Sequence, residues 1–499
     1  MILEKLIEFK SSLNKKYYLV FFAAAIYSLA FSPTNLKILA YLSISLFYIL
    51  LLESDKKDSM RLSFLYGLIS YLVGVSWVFN SIYDFGGQHF ISSISITAIF
   101  VLTLAITFIP IGFFINKSLK LTSFSACIFF SSLWILSEFI RSNIFGGFPW
   151  LILGHSQIHT IYENIYPILG SYFVGFIVTA LSSFCVVIYI NNFKTKYLLQ
   201  LILVISVLFI INIIPINWTK HSDQKINFTI IQANVHQGLK FDKSTIIKIK
   251  QKYEEMSNKY NGKDLIIWPE TAIPTFNNND LYLKKLQNKF DKSLLVSGIF
   301  RFDTQSNKIF NSIVFLNKNI QFYDKRHLVP FGEYMPFSNI LQHVGKFLDV
   351  PMSNLSSGNY HQSSIKYNDE LIYPLVCYEI AFPKLISVDK ETYGLVINLS
   401  NDGWFGNSFA PYQHLQITQV RALETQRYIL RAANTGISAI INPKGKIYKS
   451  IPLNKEGVLS DTVYSTKFLT PYMVFGDYPV LMLIFIFIFL YIFRSSKHG

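Results

Sequence analysis

Apolar residues fall along this chain in long blocks at its beginning and end, and in short, punctuated runs between. Before residue 217 seven stretches are nearly free of charge: Tyr17–Phe31, Leu36–Leu52, Leu62–Ile82, Ile91–Ile115, Thr122–Ile140, Tyr166–Ile190 and Tyr197–Ile216. An eighth, Tyr478–Phe493, closes the chain. A helix needs about 20 apolar residues to cross a hydrocarbon core, so the blocks predict eight membrane-spanning helices. No small-residue cleavage site separates the first block from the second, so the first is read as a span rather than a signal peptide.

Residues 217–477 have a different rhythm. Phe228–Gln232 and Leu265–Trp268 read as buried strands, with a polar helical stretch near Lys243–Tyr260 between them. Ser293–Phe300, Ile309–Leu316, Ile372–Val376 and Leu395–Leu399 continue the pattern, and a helix near Tyr412–Ala433 precedes a strand at Ile437–Ile441. Strands alternating with helices predict an α/β sandwich. The expected organisation is therefore a membrane domain over 1–216, an α/β domain over 217–477, and a last span with its tail over 478–499.

Composition agrees with that division. Half of the 499 residues are hydrophobic (51%), only 15% are charged, and mean hydropathy is +0.34. Disorder, collagen-like sequence and a small disulfide scaffold are excluded. The net charge of +15 would suggest nucleic acid in a soluble protein, but here it follows topology. Thirteen lysines and arginines, from Lys5 to Lys497, lie in alternate loops, whereas the intervening short loops carry only Lys37 and Arg141. Positive loops face the cytoplasm, which predicts both termini inside and residues 217–477 outside. Glu138 and Arg141 share one helix face at the outer boundary, where they read either as an interfacial pair holding the loop around Phe148–Trp150 or as a headgroup site.

Candidate chemistry lies just after the apolar strands, where α/β folds hold ligands. The passages are Leu265-Ile-Ile-Trp-Pro-Glu270, Tyr323-Asp-Lys325-Arg-His-Leu-Val-Pro-Phe-Gly-Glu333 and Pro374-Leu-Val-Cys377-Tyr-Glu379. Read singly, Glu270 is a loop carboxylate, Lys325 a solvated strand-end charge and Cys377 a core thiol. Read together, carboxylate, ammonium and thiol are the parts for acyl transfer through a thioester. Cys127 and Cys185 fall within spans, leaving Cys377 as the external domain's one thiol. Of ten histidines only His327 and His414 lie near these passages, and neither belongs to a short-range ligand pair. No metal and no cofactor are expected, and His327 reads as a structural residue beside Lys325.

In this order the three passages resemble the nitrilase superfamily, whose catalytic set is Glu–Lys–Cys on an αββα sandwich. The resemblance narrows to the apolipoprotein N-acyltransferases. It rests on Trp268-Pro-Glu270-Thr-Ala-Ile-Pro274, on Lys325 with His327–Glu333, on Cys377-Tyr-Glu379, and on Asn401-Asp-Gly-Trp-Phe-Gly406. Gln413–Gln416, Arg421–Glu424 and Asn434-Thr-Gly436 add to it, as do Glu138, Arg141, Gly147-Phe-Pro-Trp150, Gly154 and Ser156-Gln157 in the membrane part. Two positions depart from the family: Phe241 follows Lys240 where a Trp is usual, which keeps an apolar face and loses an indole N–H, and Ala410 stands where a Gly is usual.

The resemblance implies catalysis by Glu270 as base, Lys325 as oxyanion donor with the Tyr378 backbone N–H, and Cys377 as nucleophile, with Glu333 and Glu379 in support. It implies a membrane phospholipid as acyl donor, a diacylated apolipoprotein as acceptor, and the inner membrane of a bacterium as location. Phe241, Trp404 and Phe405 are candidate substrate contacts. So are Phe337, Ile340 and Phe347, which lie on the apolar stripe of an amphipathic helix between Pro336 and Pro351 and could lid the site from the bilayer. A membrane-tethered amidase delivering the acyl group to water, and a transporter with a binding domain, are the competing readings. The spans show no matched, broken halves of the kind transporters carry.

Overall fold

The computed structural model describes residues 13–115, 123–214, 216–240, 242–276, 280–334, 354–362, 364–387 and 393–496. Phe241, Phe337, Ile340 and Phe347 lie outside these residues. The chain divides into two compact units, one of Met1–Ser76, Ser95–Pro215 and Asp477–Gly499, the other of Trp77–Ile94 and Ile216–Gly476.

The first unit is helical: α1 (Leu13–Ser28), α2 (Ile38–Leu52), α3 (Lys56–Val75), α4 (Phe90–Ile106, whose first residues belong to the other unit), α5 (Ile109–Ile115), α6 (Phe124–Asn143), α7 (Tyr166–Ile190), α8 (Thr195–Ile213) and a closing helix, Tyr478–Ser496. Local chemistry starts them. The Asp55 side chain accepts from the Asp58 N–H at the head of α3 (2.8 Å), and Ser123 does the same for Ala126 at the head of α6 (3.3 Å).

The expectation of eight spans is corrected. Among the described residues four helical stretches are long and apolar enough to cross a membrane: Phe90–Ile115, Phe124–Gly146, Glu163–Ile190 and Thr195–Ile213. A fifth counts if the broken pair Lys56–Val75 and Val78–Asp84 is one span. Ile38–Leu52 and Tyr478–Phe493 are apolar but shorter than about 20 residues, and α1 begins where the described residues begin.

Within α6, Glu138 and Arg141 are buried and work on the loop that follows. Glu138 Oε1 accepts from the Trp134 indole (3.0 Å) and the Leu153 N–H (2.9 Å). Arg141 Nη1 donates to the carbonyls of Phe148 and Trp150, both at 2.6 Å. The pair holds the loop around Phe148–Trp150, the blander of the two expected roles.

The second unit packs two sheets face to face. One runs in the order β13 (Gly457–Lys467), β1 (Lys220–Gln232), β2 (Leu265–Ile267), β4 (Leu294–Asp303), β5 (Lys308–Leu316), β6 (Ile320–Asp324), with β3 (Ile273–Phe276) beside β4. The other runs β12 (Ile447–Ile451), β11 (Ser438–Ile441), β10 (Tyr428–Ala433), β9 (Leu395–Ser400), β8 (Glu370–Val376), β7 (Ile365–Tyr367). Side-chain alternation explains the unbroken apolar runs. Phe228, Ile230, Leu265 and Ile267 point into the core shared with Ile397, Leu399 and Leu430 of the opposite sheet. Ile231, Ile266 and Trp268 point the other way, onto Ile249 and Tyr253 of α9 (Lys243–Ser257) and Leu283 and Leu286 of α10 (Asp280–Lys289). With α11 (Ala410–Thr425) against the second sheet, the layers are α, β, β and α.

One predicted element divides. The helix expected over Tyr412–Ala433 stops at Thr425, where Gln426 turns left-handed (φ 47°, ψ 45°), and Tyr428–Ala433 becomes β10, parallel to β9. Its apolar residues suit a helix face by spacing, but a central strand buried on both faces takes the same composition. The strands β1, β2 and β4 are mutually parallel, as are β8, β9 and β10. Two antiparallel steps make β6 run with β4. Their carboxyl ends collect the chemistry.

Candidate active site

Each chemically distinctive side chain follows a strand that runs in its set's common direction. Lys240 comes after β1, Glu270 after β2, Lys325 directly after β6, Cys377 directly after β8 and Asp402 after β9. All five are buried, Lys325 to 1% exposure and Cys377 to 9%.

Glu270 sits in a tight corner. Trp268 N–H still pairs with Val296 O (2.8 Å), Gly298 N–H reaches Pro269 O (3.2 Å), and Thr271 turns left-handed at φ 54°. A Cβ on Gly298 would overlap the backbone of Glu270 and Thr271, lying 2.6 Å from the Glu270 Cα, so only glycine lets the corner approach β4. One carboxylate oxygen of Glu270 accepts from Asn311 Nδ2 at 2.8 Å. The other is buried and has no hydrogen-bond partner among the described residues. Burial raises its affinity for a proton, with Lys325 opposing and Glu333 reinforcing.

Lys325 is held from several sides. Its Nζ donates to Glu333 Oε1 at 2.8 Å, and its backbone N–H donates to Asn311 O at 2.8 Å. The Asn311 amide also donates to Glu333 Oε1 (2.9 Å), while Glu333 Oε2 accepts from Val329 N–H (2.8 Å). Burial works against the ammonium, but Glu333, Glu270 and Cys377 outweigh it and hold Lys325 above its ordinary value.

Cys377 occupies a left-handed residue (φ 49°) where β8 gives way to a single 3₁₀ turn, Cys377–Ala381. A non-glycine residue held there is strained, and such strain gathers at functional sites. Burial and the Glu270 charge push the thiol well up, Lys325 pulling the other way. Thiol, carboxylate and ammonium are thus within electrostatic reach of one another.

Glu379 ties this corner to the lysine loop. Its oxygens accept from the N–H groups of Val376 (2.7 Å), Arg326 (2.7 Å) and His327 (3.2 Å) and from the Tyr323 hydroxyl (3.0 and 3.1 Å). Arg326, stacked over Tyr323 and donating to the Tyr373 hydroxyl (2.7 Å), supplies the compensating charge. The His327 ring packs on Phe382 (3.7 Å between centroids) and lies 5.9 Å from the Tyr378 ring.

On the other side of the thiol is a second charged cluster that spacing did not reveal. Asp402 Oδ1 accepts from Ser400 Oγ (2.8 Å) and contacts His414 Nδ1 (3.0 Å), and Oδ2 accepts from Arg431 (2.7 Å). His414 Nε2 lies 3.2 Å from Cys377 O. Burial is outweighed by Arg431 and His414, which hold Asp402 well below the usual carboxylate range; burial and Arg431 lower His414. His414 has no ligand-type partner close in sequence, but the fold brings donor atoms of Cys377, Asp402 and His414 within 4.8 Å of one another. Both Asp402 oxygens are already engaged, however, and the fixed cation Arg431 fills the charge a metal would supply.

Trp404 and Phe405 are half-buried on the turn after Asp402. Their carbonyls accept from Ser81 Oγ (2.8 Å) and Asn80 Nδ2 (3.5 Å). The Phe405 ring meets the Trp77 ring edge-on at 4.9 Å, and the Trp77 indole donates to Gln413 (3.1 Å). Asn311, Lys240 and Arg431 are the residues sequence reasoning passed over. The one signal for Asn311 was a polar residue inside an otherwise apolar run.

Residues 23–184 match the model of the apolipoprotein N-acyltransferase N-terminal domain, and residues 229–466 that of carbon-nitrogen hydrolases. The apolipoprotein N-acyltransferase of Coxiella burnetii is 34% identical over 93% of this chain and 97% of its own. Those of Methylococcus capsulatus (31%, 91% of each chain) and Wigglesworthia glossinidia brevipalpis (32%, 93% and 95%) are similar over the same extent. A fold and a cluster of this kind, with relatives matching end to end, have one consequence: the chain belongs to the apolipoprotein N-acyltransferases, acyltransferases of the carbon-nitrogen hydrolase superfamily.

Proposed function

We propose that this enzyme moves an acyl chain from a membrane phospholipid to the free α-amine of an N-terminal diacylglyceryl-cysteine, in two half-reactions through a thioester on Cys377. In the first, Glu270 takes the thiol proton as sulfur attacks an ester carbonyl of the phospholipid. Lys325 and the backbone N–H of Tyr378 hold the oxyanion. The carbon–oxygen bond then breaks, and Glu270 returns the proton to the leaving lysophospholipid. In the second, the amine attacks the thioester, Glu270 removes a proton from the nitrogen, the carbon–sulfur bond breaks, and the proton returns to the thiolate. The lipoprotein gains an amide-linked third chain. Every step uses groups of this chain.

The observation that carries the reading is the buried oxygen of Glu270, without a partner among the described residues, in a cluster with Lys325 and a strained Cys377. A base must have a lone pair to offer, and this carboxylate has one. Glu333 and Glu379 orient Lys325, one through its ammonium and one through the backbone that follows it. The positive loops support placement in a bacterial inner membrane, with both termini cytoplasmic and the α/β unit periplasmic.

Incubating the purified protein with phospholipid and weighing it intact tests the first step: an acyl mass on Cys377 is expected. Adding a diacylated lipopeptide with a free N-terminus should then move that mass to the peptide. Transfer to water alone would favour an amidase, and full activity of Cys377→Ser without any adduct would overturn the thioester.

A further inference from the structure

Lys240 has no task in the half-reactions above, yet it lies at the centre of the site. It is fully buried, and its Nζ donates to the backbone carbonyl of Glu270 at 3.1 Å. The segment that carries it is fixed independently. The Lys240 N–H donates to Gln237 O (3.2 Å), Gln237 Oε1 accepts from Asn401 (2.6 Å), and Asn434 both accepts from Val235 N–H (3.0 Å) and donates to Val235 O (2.7 Å). The carbonyl it holds belongs to the residue before the left-handed Thr271, where the backbone needs outside support.

Charge makes the same point. Glu270 and Glu333 share one amide, that of Asn311, so two carboxylates converge on a single neutral donor. The Glu333 charge at that range opposes ionisation of Glu270. Lys325 bonds Glu333 and also opposes protonation of Glu270, more strongly than Lys240 does. Lys240 is the second cation, and the groups it faces are Glu270 on the turn after β2 and Cys377 on the corner after β8. Through Glu270 it is coupled to Lys325 and Glu333 on the loop after β6.

We propose, on the basis of the thioester reading above, that Lys240 is a positioning residue: its ammonium pins the Glu270 peptide and supplies the second positive charge that keeps Glu270 ionised to receive the Cys377 proton. With Lys240 charged, the resting cluster of two ammoniums, two carboxylates and a thiol is neutral. In the tetrahedral adduct the thiol proton has moved to Glu270 and the oxyanion carries the negative charge, so the cluster is neutral again. Remove the Lys240 proton and both states carry an extra negative charge, which the oxyanion and the departing thiol proton both resist. Burial lowers Lys240 to about 7, with Glu270 and Cys377 pulling it back up. The ammonium is therefore lost as pH rises through neutrality, and acylation should fall with it.

The test uses the full-length enzyme in mixed micelles with dipalmitoyl phosphatidylethanolamine and no acceptor. It reads the rate at which the acyl mass appears on Cys377 from pH 5.5 to 9, alongside site-resolved iodoacetamide labelling of Cys377. The wild type should show a falling limb of acylation near neutrality. K240M should acylate at least about 100-fold more slowly and lose that limb, and its Cys377 labelling should shift to higher pH. K240R, which keeps the charge, should restore acylation within about tenfold and sustain it above pH 8. K240M acylating like the wild type, or a wild-type profile flat across neutrality, would overturn the proposal, and the second result does not depend on any variant folding. No acyl mass in the wild type, with labelling still shifted in K240M, would instead overturn the thioester reading and leave the charge role standing.

Discussion

Two buried carboxylates flank Cys377, and their surroundings have opposite designs. Asp402 is saturated: each oxygen is engaged, by Ser400 and His414 on one side and Arg431 on the other, and the group is held well below the usual carboxylate range. Glu270 is left short, with one oxygen on Asn311, the other without a partner among the described residues, and its proton affinity raised. Burial is nearly equal, at 1% and 6% exposure. What differs is the number of donors aimed at each group. A carboxylate that must accept and release a proton cannot have all its lone pairs committed, whereas one that fixes a histidine and an arginine must. On the function proposed above, that contrast suits Glu270 to proton transfer and Asp402 to support.

The largest effects should come from the open side. Cys377→Ala removes the nucleophile and should abolish both half-reactions. Lys325→Ala should slow acyl-enzyme formation by at least about 10²–10³, the usual loss for one oxyanion donor, because Glu333 and Glu270 also lose the cation between them. Glu270→Gln should bind phospholipid and form no acyl-enzyme, since an amide cannot take the thiol proton. Normal acylation by Glu270→Gln in an intact-mass assay would cancel the distinction between the two carboxylates.

Stability should reverse that ranking. Asp402→Asn leaves Arg431 buried beside a neutral amide, and breaking a buried pair this way costs about 3–5 kcal/mol. The folded-state value of Asp402 is depressed, so its contribution is complete above the ordinary Asp value of about 4 and is lost as pH falls through the depressed one. Glu270 is raised, so the sign inverts: it opposes folding increasingly as pH climbs from the ordinary Glu value through the raised one, and fully above that. Glu270→Gln should therefore be as stable as the wild type at pH 7, or more so, while Asp402→Asn melts well below it. Equal melting temperatures for the two variants would refute the contrast.

The open side was readable in the chain because each of its groups follows a short apolar strand within a few residues. Leu265–Glu270, Tyr323–Glu333 and Pro374–Glu379 are continuous passages, and local order alone suggested their chemistry. The saturated side was hidden by distance. Asp402, His414 and Arg431 lie on three separate elements, and placing Arg431 at the end of an extended helix concealed that β10 carries it inward. Lys240 and Asn311 were missed for a related reason, since only the pairing of β1, β2, β4 and β5 brings them beside Glu270. The membrane helices show the limit of composition. Apolar runs located them, but a run of 15 residues does not by itself settle a crossing.

Gly298→Ala probes the corner that keeps Glu270 short of partners. The added Cβ would press on the Glu270 backbone, displacing the carboxylate while leaving its chemistry intact. Misplacement of about 1 Å can cost on the order of 10²-fold, and that loss should appear in the acylation rate beside a clear fall in melting temperature, because backbone must give way. The equivalent change at Gly436, which lies against the Asp402 carboxylate, should act the other way, lowering stability more than rate.

Ser400 is where the two sides meet, and it should give the smallest effect. Its hydroxyl has one proton and two acceptors in reach, Asp402 Oδ1 at 2.8 Å and Cys377 Sγ at 3.5 Å. Arg431 donates to the same oxygen at 3.3 Å. In the resting enzyme the shorter contact aims the Ser400 hydroxyl at Asp402. When the thiol ionises, sulfur becomes the needier acceptor and the hydroxyl can turn to it, while Asp402 keeps Arg431 and His414. Ser400→Ala removes that option together with the hydroxyl's bonds to Asp402 and Arg431. Turning to the thiolate exchanges one charged acceptor for another, so the net gain is about 0.5–1.5 kcal/mol; one pKa unit is about 1.4 kcal/mol, and the midpoint of Cys377 alkylation should rise by about one unit or less. Acylation should slow by tenfold at most, and stability should fall by no more than about 1.5–3 kcal/mol, the contribution of one hydrogen bond to a charged group, since Asp402 keeps Arg431 and His414. A loss of stability comparable to that of Asp402→Asn would mean the serine belongs to the saturated side alone, and the two clusters would then share a thiol without sharing a proton.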